Sequence, residues 1–339
     1  MYDENYLHKI DSTEISVVIQ GPLYRDHNGG DLAVACITSI RKFLPKAEII
    51  ISTWHHQNTN DLDVEKIIFS DEPQGFADTN GLTNNILKQM VSTKNGILAA
   101  TRKYVLKFRA DHTLLNNNIA VIRENPDNVE KLFQQPITLT NFFIRNPAQV
   151  PMLFHLSDLV QFGLREDMLD LWSIPLPSRK DVYFDRTPKF RMLGHFVGHT
   201  AQSQVPEQTL MLSWLKKRGI DIHLPHTCYT SYRLFRLWEQ LLTDNFHMMN
   251  WNNAGILFPK RFHRIFYRKN ANYSEKDLMQ AKLALNSRFY FLRYIKVIIN
   301  KYITCWTNVS YLRSLLSILV FSVSPTFGQW LKRKIRTHT

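Results

Sequence analysis

The sequence predicts an α/β fold built on a Rossmann-like parallel sheet, with a mixed second half and a basic helical appendage at its C-terminal end. Three observations predict it. Up to Asn116, short β-branched runs alternate with helical periodicity in units of about 25 to 40 residues, the spacing that parallel strands and their covering helices require. After Asn116 the elements become shorter and mixed, and beyond Asn270 the chain turns helical and basic.

The run ISVVIQGPL, Ile15 to Leu23, is apolar and β-branched and is stopped by Gly21 and Pro22, which reads as a buried strand ending in a tight turn. In DLAVACITSIRKFL the spacing of Leu32, Cys36, Ile40 and Phe43 is that of one helix face. AEIIISTW and VEKIIFSD follow as a second and a third strand. NNILKQMVSTKNGILAATRK reads as one helix, or as two short ones broken at Asn95 and Gly96, and YVLKFRAD as a fourth strand. Such sheets bind ligands beyond the carboxyl ends of their strands, which sets Gln20, Gly21, Asp71 and the cluster from Arg109 to His112 on one rim. Downstream, TLTNFFIR and MLFHLSDLVQFG are expected as shorter strands, REDMLDLWS and PEQTLMLSWLKKRG as helices, and IDIHLP as a late strand. The boundary signal is NANYS, Asn270 to Ser274, dividing a main domain, residues 1–270, from a tail, residues 271–339.

A chain of 339 residues buries a full core without covalent staples. Its three cysteines, Cys36, Cys228 and Cys305, are too scattered for a disulfide framework or a zinc site, which fits a reducing compartment. The opening MYDENYLHKIDSTE has no basic run followed by an apolar core, so a cytoplasmic location is expected. The net charge of +13 implies a polyanionic partner. That excess lies beyond residue 260, where PKRFHRIFYRK, RYIKVIINKY and LKRKIR are opposed by Glu275 and Asp277 alone. The apolar stretch Leu315 to Val323 is too short to cross a bilayer. Two readings stand for the tail: helices lying on an anionic membrane surface, at the inner face of the inner membrane, or an amphipathic pair packed on the main domain. Nucleic acid is not expected.

By the period-two rule Lys107, Arg109 and Asp111 share one strand face. Two cations beside one carboxylate suit a diphosphate with a divalent ion, manganese or magnesium, better than a nucleic-acid backbone. The plain alternative is a structural Arg/Asp pair. Asn85, Gln89 and Ser92 recur at helical spacing, as a pocket lining or as a solvated face. Asp158 sits in the apolar FHLSDLVQFG, where an uncompensated carboxylate is costly. Glu207 follows Pro206, so it is either a first-turn acid complementing a helix dipole or a functional acid. Among histidines, His195 and His199 meet only on a helix, which Gly194 and Gly198 disfavour, while His223 and His226 near a strand end are candidates for one more metal ligand.

In order along the chain, SVVIQGPL, AEIIISTW, NNILKQMVSTKNG, KYVLKFRADH, SDLVQFG and PEQTLMLSWL resemble the WavE lipopolysaccharide synthesis family, over about Ile15 to Phe246. The resemblance implies a glycosyltransferase of the GT-A type, a nucleotide-sugar on the sheet rim and an Asp-x-Asp motif holding a metal on its diphosphate. Here Arg109 stands where the first acid belongs, leaving Asp111. It implies nucleotide contacts from Gln20 and Gly21, base or ribose contact from Asp71, and Asp158 and Glu207 as rival bases toward an acceptor hydroxyl. The expected acceptor is a lipid-linked saccharide of the lipopolysaccharide core or a related surface glycan. Two other classes stay open: a sugar nucleotidyltransferase, for which GPLYRDHNGGD lacks the basic spacing, and a non-enzymatic protein binding anionic surfaces through the tail.

Overall fold

The computed structural model describes residues 7–25, 30–124, 131–185, 193–263 and 271–337. The β-branched run after Ser12–Glu14 forms β1 (Ile15–Gln20), buried along its whole length. Asp31 caps α1 (Leu32–Phe43) by accepting from the Val34 backbone N–H. Strands β2 (Glu48–Trp54) and β3 (Lys66–Ser70) follow, then α2 (Ile86–Ala99) and β4 (Tyr104–Arg109).

Both β2 and β4 pair with β1 in parallel, and β3 adds outside β2. The chain therefore moves outward from β1 to β3 and returns to the other side of β1. The order reverses between β1 and β4, where Gln20 is in register with Arg109. Beyond β4 the second half contributes β5 (Ile137–Thr140), β6 (Gln161–Leu164) and, after α3 (Arg165–Trp172), α4 (Pro206–Lys217) and α5 (Tyr232–Asn245), the edge strand β7 (Phe246–Met249). The seven-stranded mixed sheet runs β7-β5-β6-β4-β1-β2-β3, with β6 antiparallel to both neighbours.

Alternation along the strands builds two cores. Val17, Ile19, Ile49, Ile51, Leu106 and Phe108 pack with Cys36 and Ile40 of α1 on one face. Val18, Ile50 and Val105 pack with Met90 and Ile97 of α2 and with Trp214 and Trp238 on the other. Helix α2 runs unbroken through Asn95 and Gly96, the second of the two readings being excluded. Gly96 stands there because a Cβ would collide with the Val18 side chain, so the glycine sets the helix against the sheet.

One expected strand is shortened and another is absent among the described residues. Of MLFHLSDLVQFG only Gln161–Leu164 is strand, and Met152 to Val160 is irregular yet buried. IDIHLP is irregular too: Gly219, at φ +79, ends α4, and Ile220 and Ile222 pack onto the core from a loop. A loop held by apolar side chains reads like a strand in sequence.

The tail forms α6 (Glu275–Leu285), α7 (Phe291–Tyr302), α8 (Val309–Val323) and α9 (Pro325–Thr337). It packs on the main domain. Glu239, wholly buried in α5, accepts from Tyr273 Oη at 3.1 Å, Tyr290 Oη at 2.9 Å, and Arg293 Nε and Nη2 at 2.9 and 2.6 Å. Asn300 and Asn308 both donate to the Gln149 carbonyl, and the buried Lys301 ammonium donates to the Cys228 carbonyl at 2.7 Å. Ser314 bridges the His195 carbonyl and the Gly198 N–H, and the His199 ring stacks on Phe321. Gln329 of α9 reaches the Thr79 carbonyl, in the small hairpin formed by Phe76–Ala77 and Thr83–Asn84.

Candidate active site

At the strand-order reversal a cleft of about 560 Å³ opens, lined from the sheet by Gln20, Gly21 and Arg109, from α2 by Asn85 and Gln89, and from the second half by Asp158 and Glu207. A larger hollow, about 1020 Å³, lies against the end of α4 between Leu176, Lys217 and His223, and takes in none of the strand ends. The chemistry is in the smaller one.

Gln20 ends β1 almost buried, its Oε1 accepting from Ser92 Oγ at 2.8 Å. Ser92 therefore lies behind the wall, while Gln89 and Asn85, one and two turns earlier, reach the cleft. Gly21 takes φ +92 and has open space where a Cβ would project, so it turns the chain and leaves the mouth clear. Asn85 is the N-cap residue of α2, with no side-chain capping bond.

Arg109 and Asp111 face one another across the turn that ends β4. Nε donates to Oδ1 at 3.1 Å and Nη2 to Oδ2 at 3.2 Å, and Nη2 also approaches Tyr24 Oη at 3.4 Å. His112 Nδ1 meets Asp111 Oδ1 at 2.8 Å. Burial alone would raise the Asp111 carboxyl; the hydrogen bonds and charges of His112 and Arg109 outweigh it and hold the group well below the usual carboxylate range. Burial pushes His112, packed against Phe108, Phe258 and Phe262, down to about 4, so the ring is neutral.

Lys107 lies beneath the cleft, not in it. Its fully buried ammonium donates to the Asp158 carbonyl and sits 4.9 Å from the Trp172 ring centroid, and burial pushes it down to about 7. The reason is depth: two residues back along β4 from Arg109, the same face is under the loop that carries Asp158. That carbonyl also receives Gln89 Nε2 at 3.3 Å. The Asp158 side chain, placed by a loop and not by a strand, is raised by burial and then by the nearby charge of Glu207. Glu207 sits in the first turn of α4, is 3.7 Å from His155 Nε2 and also lines the cleft.

Asp71 is outside the cleft, its side chain fully exposed and 3.9 Å from His55 Nε2. The neighbouring Glu72 is inside, paired with Lys88 Nζ at 2.6 Å. Sequence reading also passed over Tyr24, Thr83, Phe143 and Phe262, which line the cleft too. Phe143, at φ +69, is one of few non-glycine residues in the left-handed region, a strain that no sequence pattern announces.

An Asp-x-Asp metal site does not fit these residues. Both oxygens of Asp111 are engaged by Arg109 and His112, and its side chain has no exposed surface. His195 instead approaches the Gly198 carbonyl, and none of the four singled-out histidines lines the cleft. Among the described residues no group of three His, Cys, Asp or Glu side chains is arranged to hold a metal.

Among solved structures, a Drosophila β1,4-galactosyltransferase 7 mutant, in complex with manganese, UDP-Gal and xylobiose, aligns at 13% identity over 46% of this chain and 52% of its own, with a TM-score of 0.24, too slight an overlap to carry weight. The aligned part is about half of that chain. Among curated proteins none matches. The model of a family described as WavE lipopolysaccharide synthesis matches residues 15–317. The match runs past Phe246, where the motif resemblance stopped, through α6 and α7 and into α8. This chain belongs to the WavE lipopolysaccharide synthesis family.

Proposed function

We propose that the protein is a GT-A-like glycosyltransferase that moves a sugar from a nucleotide-sugar donor to a lipid-linked saccharide, of the lipopolysaccharide core or a related surface glycan. The observation that carries the reading is a cleft at the strand-order reversal that brings Arg109 of the sheet together with two carboxylates of the second half, Asp158 and Glu207. Transfer needs a base to take the proton of the acceptor hydroxyl as its oxygen bonds to the anomeric carbon, while the carbon–oxygen bond to the diphosphate breaks and the diphosphate leaves with the bonding electrons. Asp158 and Glu207 are the candidate bases. Gln20, Gly21 and Asn85 shape the donor side, and Arg109 meets the charge of the leaving diphosphate. Asp71 acts toward base or ribose only from outside the present lining. For a sugar nucleotidyltransferase no phosphate-cradling loop stands among the described residues that line this cleft.

The same proposal places the enzyme on the inner face of the membrane that carries its acceptor. Helices α7 and α8 bury one face on the main domain and turn Phe291, Ile295, Ile299, Leu312, Leu316 and Leu319 to solvent. From Leu278 onward the sequence has ten Lys or Arg and no Asp or Glu. Arg293 and Lys301 point inward, but apolar side chains interspersed with the remaining Lys and Arg complement an anionic lipid surface, whereas a second copy of the same face would bring like charge to like. No helix among the described residues is long and apolar enough to cross a bilayer.

Incubating the protein with a panel of nucleotide-sugars and lipid-linked saccharides tests the activity. The expected result is release of nucleoside diphosphate that depends on acceptor. If no donor is bound or consumed, the glycosyltransferase reading fails.

A further inference from the structure

We infer that Arg109, braced by Asp111 and Tyr24, stands in for the divalent ion in this cleft, so that the donor's diphosphate is bound without a metal. The inference rests on the nucleotide-sugar reading above and adds to it the identity of the cation.

Three features support it. The first is the state of Asp111. A divalent ion takes carboxylate oxygens directly, at about 2.0 to 2.6 Å, and needs their lone pairs. Here Oδ1 is shared by Arg109 Nε and His112 Nδ1, Oδ2 accepts from Arg109 Nη2, and the side chain is sealed from solvent. The second is charge. An ion placed on Asp111 would displace Arg109 or stand beside its guanidinium, and two cations in a partly dry cleft repel. The third is Arg109 itself. Its Nε and Nη2 are used, but Nη1 hydrogen-bonds none of the described residues and is not among the buried polar atoms left without a partner. Arg109 lines the cleft and Asp111 does not. The carboxylate therefore lies behind the guanidinium, fixing its plane, while the two Nη1 hydrogens are left for phosphate oxygens.

Tyr24 completes the brace. It follows Gly21 and Pro22 out of β1, lines the cleft and approaches Nη2 from the β1 side at 3.4 Å. The guanidinium is thus pinned from β1 and from the turn after β4, the two strand ends between which a diphosphate would lie. A flexible cation pays in order each time it binds; one already held in place does not.

The test is calorimetric titration of the full chain with UDP, GDP, CDP and ADP, each with chelator and with excess manganese. At least one of them should bind with the same dissociation constant, within about twofold, in both buffers. Arg109→Ala should weaken that binding about 10- to 100-fold in both, the loss of a charge-assisted hydrogen bond. Asp111→Asn should loosen the arginine and weaken binding about tenfold, still with no response to manganese. Wild-type binding that disappears in chelator and returns with manganese would overturn the inference while leaving the glycosyltransferase reading intact, and so would undiminished binding by Arg109→Ala. If none of the four nucleotides binds in either buffer, the donor reading itself falls, and this inference with it.

Discussion

Asp158 and Lys107 show how the sequence displays a residue's type while its place depends on the fold. Asp158 lines the cleft, and its carboxyl is raised first by burial and then by the charge of Glu207. Asp158→Asn and Glu207→Gln should separate the two acids: loss of the base lowers turnover about 100-fold or more with donor affinity kept, while the other variant stays much nearer wild type. Normal turnover in both would remove both from the reaction. Lys107 makes a second prediction, on stability. Its folded-state ammonium is pushed down to about 7, against roughly 10.4 in an unfolded chain. Between those values the unfolded chain holds more protons, so this group makes stability rise with pH from about 7 to about 10; below 7 the cost of burying the charge is constant. Melting temperatures of wild type and Lys107→Met, measured from about pH 6.5 to 9, should show that slope in the first and a flatter one in the second. Parallel curves would mean that Lys107 does not change its charge on folding.

Helix α5 and the tail are joined at Glu239, and the junction sets a prediction at the scale of elements. Two phenols and one guanidinium converge on a carboxylate with no exposed surface. Glu239→Ala leaves Arg293 half-buried without its counter-charge and should cost about 3 to 5 kcal/mol. Limited proteolysis should then cut first between α6 and α7, ahead of global unfolding; a wild-type digestion pattern would count against this role. The strands β1 and β2 were legible in sequence because sheet burial on both faces leaves β-branched apolar runs with abrupt ends, and the half-buried edge strand β3 and the strand β4 because short apolar runs stop at charged residues. A break at Gly96 stayed open as one of two readings because the reason for that glycine, the approach of Val18, lies in another element. Asp158 looked like a strand residue because Leu156, Leu159 and Val160 are buried, and burial in a loop leaves the same trace. The rim could be predicted from topology, yet the choice between Asp71 and Glu72 turns on a single residue past the end of β3. The Arg109–Asp111 pairing depends on a turn that folds the acid back, where a continuing strand would have set the two side by side.

Over the whole molecule, the tail has an inner face that belongs to the fold and an outer face that is apolar and cationic. Removing it would disturb the main domain, so membrane attachment is better tested by point changes on the outer face. Flotation with anionic liposomes should recover the wild type at low salt and lose it as salt rises, each nearby cation contributing about 1 kcal/mol. Ile299→Glu together with Leu316→Glu should abolish flotation and leave the melting temperature unchanged. Equal binding to neutral liposomes, or dimerisation that the same changes remove, would refute the lipid assignment. The contact between Gln329 and Thr79 spans 250 residues of sequence, and Asp78 in the same hairpin is held by Thr200 Oγ1 and the Ala201 N–H. Thr83 and Asn85, at the far end of that hairpin, are cleft wall. During synthesis the sheet rim can therefore assemble early, while the outer wall gains its supports in stages, from Thr200 and Ala201 first and from α9 last. A nascent chain would have the floor of the cleft before its outer wall had every support.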